Sequence, residues 1–167
     1  MFNIGETVKY GVNGICKIVD ISKRSFCGED TEYYVLQPLL RGDSTFFVPT
    51  ANEVLVSKIH HLMSKSAVYE LIGEIPECHT EWIDNDKERN ASYNLMLTSC
   101  DRHDIIGLIR TLHQRKEQLE EKNKKLHQAD ERILKDAEKI INDEFAVVLE
   151  MQPSDVPGFI ADRLACC

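Results

Sequence analysis

The sequence predicts an α+β chain: a small N-terminal β-barrel over residues 1–60, then an all-helical domain over residues 61–167. Three observations predict it. The first fifty residues carry short apolar alternations of period two, set off by glycine turns. From Ser64 onward the apolar residues recur at helical spacing. Between the two regions, Pro49 and the polar Thr50-Ala51-Asn52 break the strand pattern.

Each element follows in order. Thr7-Val8-Lys9-Tyr10 and Ile15-Cys16-Lys17-Ile18-Val19 alternate as strands, and Gly11 and Gly14 frame a turn at Val12-Asn13. Gly28 marks a hairpin within the Phe26 to Asp30 stretch, ahead of Glu32-Tyr33-Tyr34-Val35-Leu36. Arg41-Gly42-Asp43-Ser44 is the next turn, followed by Thr45-Phe46-Phe47-Val48-Pro49. Val54-Leu55-Val56 reads as a final short strand. Strands at this spacing form a meander that closes into a barrel. A barrel so small has little room for an interior ligand, which moves its expected function to the outer face or an edge. Phe46 and Phe47 are adjacent in an edge-type strand, so one ring points outward, where a partner can add a strand.

The helical half reads as five segments. Ser64 caps a short helix carrying Val68, Leu71 and Ile72, and Pro76 ends it. A third segment of the chain, about Asp84 to Thr98, turns Tyr93, Leu95, Met96 and Leu97 toward a core. Asp101 caps a helix with Ile105, Leu108, Ile109, Leu112 and Leu119 at helical intervals. The next runs from about Ala129 to Glu150, with Ile133, Leu134, Ala137, Ile140, Ile141, Phe145 and Val148 on one stripe, and Pro153 stops it. Ser154 and Pro157 open a last short helix to Leu164. Glu117 to Lys122 has coiled-coil character for under two heptads, too short to specify one.

Composition narrows the function. Hydrophobic residues make up 43% and charged residues 29% of the 167, ordinary for a globular protein. A run of about 18 apolar residues is missing, as is a basic stretch followed by an apolar one at the N-terminus; the expectation is a cytoplasmic protein without membrane contact. Cys16, Cys27, Cys78, Cys100, Cys166 and Cys167 form no CxxC pair, so free thiols are expected and no metal site. Net charge is −8, against nucleic-acid affinity driven by bulk charge. The net-positive block is residues 101–127, with 7 basic and 5 acidic residues.

Catalytic motifs are missing: no Gly-rich phosphate loop, GxSxG or HExxH occurs, and no cofactor is expected. His60-His61 diverge on any regular element, and Cys100 near His103 is too weak a pairing to make a nucleophile. Acidic pairs such as Asp84/Asp86 and Glu120/Glu121 read as solvated faces. The helix after Asp101 offers Arg102, Arg110, Arg115 and Lys116, then Lys122, Lys124 and Lys125. These form either an exposed mixed face or a small phosphate-contacting patch. Such a patch binds weakly alone but suffices once another contact tethers the protein to DNA. Trp82, the sole tryptophan, is a core or interface anchor or, more rarely, a wedge at a distorted base step.

Several of these segments together resemble a known family. Val8-Lys9-Tyr10 followed by Gly11-Val12-Asn13-Gly14, the Glu32 to Leu36 block, and Gly42-Asp43-Ser44-Thr45-Phe46-Phe47-Val48-Pro49 look like the CarD/CdnL family. The barrel of that family is shared with the polymerase-binding module of transcription-repair coupling factors. In the helical half, Asp101, the Ile109-Arg110-x-Leu112 stretch, and the run from Arg132 to Ala146 fit as well. The resemblance implies a Tudor-like barrel that binds the β subunit of bacterial RNA polymerase. It also implies a helical domain touching promoter DNA at the upstream edge of the melting bubble, where an apolar wedge supports the open complex. Proteins of this kind are regulators and not enzymes. By position, Arg24 matches a basic residue used toward polymerase, and Phe47 stands where well-known members carry an arginine. Arg89 and Arg110 match basic positions, while the wedge position itself holds Asp86, with Trp82 N-terminal to it.

The expected function is therefore an adaptor. Lys23, Arg24, Thr45, Phe46, Phe47 and Val48 would meet the polymerase β subunit, and Trp82, Arg89, Arg102, Arg110, Arg115 and Lys116 would meet promoter DNA through weak, tethered contacts. The rival is a protein-interaction module that binds polymerase, or another protein, without touching DNA, which the net charge favours. A thiol enzyme or metalloprotein rests on the cysteine count alone. A monomer is expected, with edge-strand pairing or a domain swap as the routes to a dimer.

Overall fold

The structure, a computed structural model, describes every residue except Cys27, Gly28, Arg41, Cys100 and Cys167, and describes Glu29 by its backbone alone. The chain forms two compact units, Met1–Met63 and Ser64–Cys167.

The first unit is an antiparallel sheet. Its strands are β1 (Thr7–Tyr10), β2 (Ile15–Phe26), β3 (Glu29–Pro38), β4 (Phe46–Pro49) and β5 (Ile59–His61), in the order β4-β3-β2-β1-β5. Gly14 turns the chain between β1 and β2 at φ +90, ψ −154, a conformation open to glycine and closed to residues with a Cβ. Alternation then places Val8, Tyr10, Cys16, Ile18, Tyr34, Leu36, Val48 and Ile59 in one core. The sheet curls until the Tyr10 and Phe46 rings lie 5.7 Å apart, although two strands separate β1 from β4. Among the described residues the expected barrel is an open, curled antiparallel sheet, with β4 and β5 at the two ends of the ladder.

A bulge in β2 decides which residues face outward. The β2–β3 register pairs Ile18 with Leu36 and Asp20 with Val35, so Val19 is an extra residue. One extra residue flips the parity of everything that follows it. Before the bulge, Cys16 and Ile18 point inward; after it, Ile21 packs on the core and Ser22, Arg24 and Phe26 take the outer face.

One expected strand is a helix. Val54-Leu55-Val56 belongs to α1 (Glu53–Val56), because the Asn52 side chain accepts the Leu55 N–H at 3.1 Å and caps the turn. The final strand is β5, which lies across residue 60. The turn centres expected at Gly28 and Arg41 lie outside the described residues.

The second unit is helical: α2 (Lys65–Glu74), α3 (Asp86–Ser99), α4 (Arg102–Glu120), α5 (Gln128–Leu149) and α6 (Val156–Ala165). Two expected caps form, with Ser64 accepting from Ala67 N–H and Asp101 from Asp104 N–H, each at 3.1 Å. A 3₁₀ turn at Ile75–Glu77 follows α2 and holds Pro76. The core takes Val68, Leu71 and Ile72 from α2, Tyr93 and Leu97 from α3, Ile105, Leu108 and Leu112 from α4, and Ile133, Leu134, Ala137, Ile140, Ile141 and Phe145 from α5. Leu95, expected inside, is 70% exposed, because it lies off the α3 stripe set by Tyr93 and Leu97. Glu150 ends α5 in the left-handed conformation, ahead of Pro153. Among the described residues no helix is long and apolar enough to cross a membrane.

Candidate functional site

The outer face of the first unit carries an aromatic cluster beside an unpaired strand edge. The Phe26 ring lies 5.3 Å from Tyr33 and 5.4 Å from Phe47, and Tyr33 and Phe47 are 6.4 Å apart, all edge-to-face. The Arg24 guanidinium sits 5.2 Å above the Phe47 ring. Phe26 is 49% and Phe47 38% exposed, an unusual amount of ring surface to leave in water. β4 lies at one end of the sheet, so its outer backbone groups face away from β3.

Arg24 is preoriented. Its Nη2 donates to Asp20 Oδ2 at 3.4 Å, and the Ser22 hydroxyl donates to the same oxygen at 2.6 Å. The Ser22 hydrogen bond, with Arg24 beside it, holds the Asp20 carboxyl below the usual carboxylate range. All three residues lie on the exposed part of β2 that follows the bulge.

The six residues expected to meet a partner divide accordingly. Arg24 and Phe47 are together on the outer face, Lys23 is exposed on β2, and Thr45 is exposed just before β4. Phe46 turns inward against Tyr10 and is partly buried, while Val48 is completely buried in the core and its side chain cannot touch a partner. Alternation along β4 forces this split. Phe26 and Tyr33 were missed in the sequence, since their membership depends on the bulge at Val19.

In the second unit three of the arginines expected at DNA make internal hydrogen bonds. Arg89 is 3% exposed and donates from Nε and Nη2 to Asp130 at 2.9 and 2.8 Å, from Nη2 to Asp86 at 2.7 Å, and from Nη1 to the Ile83 carbonyl at 2.8 Å. The Asp130 hydrogen bonds keep its guanidinium charged well beyond the ordinary range, and Arg89 in turn lowers the Asp86 carboxyl. Arg102 forms a two-point pair with fully buried Glu144, at 3.2 and 2.6 Å. Arg110 Nη1 donates to the carbonyls of Ile75, Pro76 and Cys78, closing the 3₁₀ turn after α2. These three arginines hold the unit together, and Arg89 has no surface with which to meet a phosphate.

Trp82 is held too. Two guanidinium groups lie close to its ring, Arg89 at 4.3 Å and Arg115 at 4.9 Å from the centroid. The segment that carries it is pinned at Glu81 by the Tyr93 hydroxyl (2.9 Å) and at Thr80 by Thr111 (2.6 Å). Arg115 and Lys116 are half-buried on α4. The notional pairing of Cys100 with His103 lies outside the described residues, as do the thiols of Cys27 and Cys167; Cys16, Cys78 and Cys166 are free. Burial pushes the Cys16 thiol up to about 11 and raises Cys78, the opposite of what a nucleophile needs.

Compared with known families, residues 2–60 match the model described as the CarD-like/TRCF RID domain. The match spans β1 to β5 as far as His60 and contains the aromatic cluster, Arg24 and the β4 edge. The N-terminal unit of this chain is a CarD-like/TRCF RID domain, an RNA polymerase-interacting module.

Proposed function

We propose that this chain is a bacterial transcription regulator, acting in the cytoplasm by binding and not by catalysis. Its N-terminal unit docks on the RNA polymerase β subunit through the β4 edge, with Arg24, Phe47, Phe26 and Tyr33 as the side-chain contacts. One observation carries the reading: the exposed ring cluster and its arginine lie beside the unpaired edge of a polymerase-interacting domain. Backbone pairing along β4 supplies affinity, and the rings supply specificity. The presence of Phe47 where relatives carry arginine shifts this contact from charge toward ring packing, with Arg24 retained as the cation.

The helical unit then acts at promoter DNA, which polymerase docking brings within reach. Of the expected contacts, Arg110, Arg115, Lys116 and Trp82 remain eligible, since Arg110 is exposed while Arg89 and Arg102 are held in internal ion pairs. A tethered contact needs little energy: about 1.4 kcal/mol shifts an open-complex equilibrium tenfold. Capture of polymerase from bacterial lysate tests the docking half. Arg24→Glu should abolish capture, and undiminished capture refutes it. Open-complex lifetime tests the DNA half, with Arg115→Gln/Lys116→Gln expected to shorten it.

The second reading, polymerase binding without DNA contact, is favoured by that same internal use of arginine and by 14 basic against 21 acidic residues in 64–167. Under it, promoter-complex affinity has the same salt slope with and without the protein.

A further inference from the structure

We propose that the cleft between α4, α5 and α6 binds a free aliphatic α-amino acid. The cleft lies wholly within the second unit and measures about 210 Å³. Its lining is aliphatic: Ile106 and Ile109 of α4, Ile141 of α5, Ile160 of α6 and Ile75 of the 3₁₀ turn. A cavity of about 150 Å³ with a lining of this kind already holds benzene, so a branched side chain has room. Among the described residues no phenyl or indole ring lines the cleft to stack on a flat ligand. Ligand sites combine such an apolar lining with a few placed polar groups.

The cleft carries one fixed charge of each sign. Arg110 comes from α4 and Glu138 from α5, and among the described residues no other Asp, Glu, Lys or Arg lines it. The two cancel, so the matching ligand is a zwitterion and not an ion of either sign. Arg110 spends Nη1 on the carbonyls of Ile75, Pro76 and Cys78, at 2.9, 2.7 and 2.6 Å, which fixes the guanidinium. Among the described residues its Nε and Nη2 donate to nothing, and Arg110 is exposed. Those two groups form the fork that takes a carboxylate at two points. Glu138 Oε1 meets His113 Nε2 at 2.6 Å, which leaves Oε2 for an ammonium group. Asn142, one turn further along α5, adds a side-chain carbonyl on the same side of the helix.

Each part of the ligand thus has its own wall. The carboxylate meets α4, the ammonium meets α5, and the side chain enters between the isoleucines. A charged side chain would lose its hydration there without a partner, which restricts the class to aliphatic amino acids.

The inference does not depend on polymerase docking, and the full chain alone tests it. His113 adds charge only when protonated, so the titration is run at about pH 8, where an ordinary histidine is neutral. L-Leucine followed by calorimetry should saturate with a Kd below about 1 mM. Isocaproate, which lacks the ammonium group, and isoamylamine, which lacks the carboxylate, should each bind at least tenfold more weakly. Glu138→Gln, at a half-buried position, should weaken leucine at least tenfold and leave isocaproate unchanged, with circular dichroism melts showing that the variant is folded. Leucine that fails to saturate, a half-ligand that binds as well as leucine, or unchanged leucine affinity in folded Glu138→Gln overturns the proposal.

Discussion

Asp130→Asn probes the claim that Arg89 is a structural residue. The substitution keeps the side chain's shape and removes its charge. Arg89 and Asp130 each have 3% of their side chains exposed, so the guanidinium is left in the interior without its main counter-charge. Removing one partner of a buried pair costs about 3–5 kcal/mol. Arg89 keeps Asp86 at 2.7 Å and the Ile83 carbonyl at 2.8 Å, which places the cost at the low end, about 3 kcal/mol. In a unit of this size that lowers Tm by about 12 °C or more. Chemical denaturation followed by Trp82 fluorescence reads the second unit directly, because Arg89 lies against that ring. The apolar double replacement Arg89→Met/Asp130→Leu should recover most of the loss. A loss under about 1 kcal/mol, far below the cost of an uncompensated buried charge, would refute the reasoning, above all if it came with a shortened open-complex lifetime.

Three further outcomes follow from the packing and the titrations. In Gly107→Ala the new Cβ would stand 2.9 Å from Thr80 Oγ1 and 3.0 Å from the His79 carbonyl carbon. Denaturant melts should therefore show about 1–3 kcal/mol lost to overpacking, despite alanine's better helix propensity. Cys16 should resist a thiol reagent in the native state while Cys166 reacts at once, as timed labelling with mass spectrometry would show. The folded Cys16 thiol titrates near 11 against an ordinary 9.0, so the folded state holds the proton more tightly. Its stabilisation is complete below the lower value and is lost as pH rises through the window between them, a decline that Cys16→Ala should lack. Asp86 works in the opposite sense: its depressed carboxyl stabilises the second unit above the ordinary carboxylate range. That stabilisation is lost as pH falls through the folded value, so Asp86→Asn should flatten the acid limb of the melt.

Much of the fold was legible in the sequence. Glycine turns, period-two alternation and the caps at Ser64 and Asp101 are local signals, and local signals survive folding. The α1 turn was misread as a strand because Val54-Leu55-Val56 has β propensity, and the Asn52 cap overrides it. The candidate docking surface was half legible. Adjacent Phe46 and Phe47 had to face opposite ways, but the bulge at Val19 that brings Arg24 and Phe26 to Phe47 leaves no mark in composition. The arginines were the least legible. Arg89 meets Asp130 and Arg102 meets Glu144 across 41 and 42 residues, so their internal roles come from tertiary structure.

The central claim is that the first unit docks through the paired Arg24 and Phe47. It is tested most directly by the affinity of the full chain for purified RNA polymerase β subunit, measured for Phe47→Ala, Arg24→Glu and the double variant. Far-ultraviolet circular dichroism melts confirm that each is folded. Each single substitution is expected to weaken binding at least tenfold, about 1.4 kcal/mol. The double should lose less than the sum, because guanidinium and ring act as one contact at 5.2 Å. Unchanged affinity in both folded single variants would contradict the account.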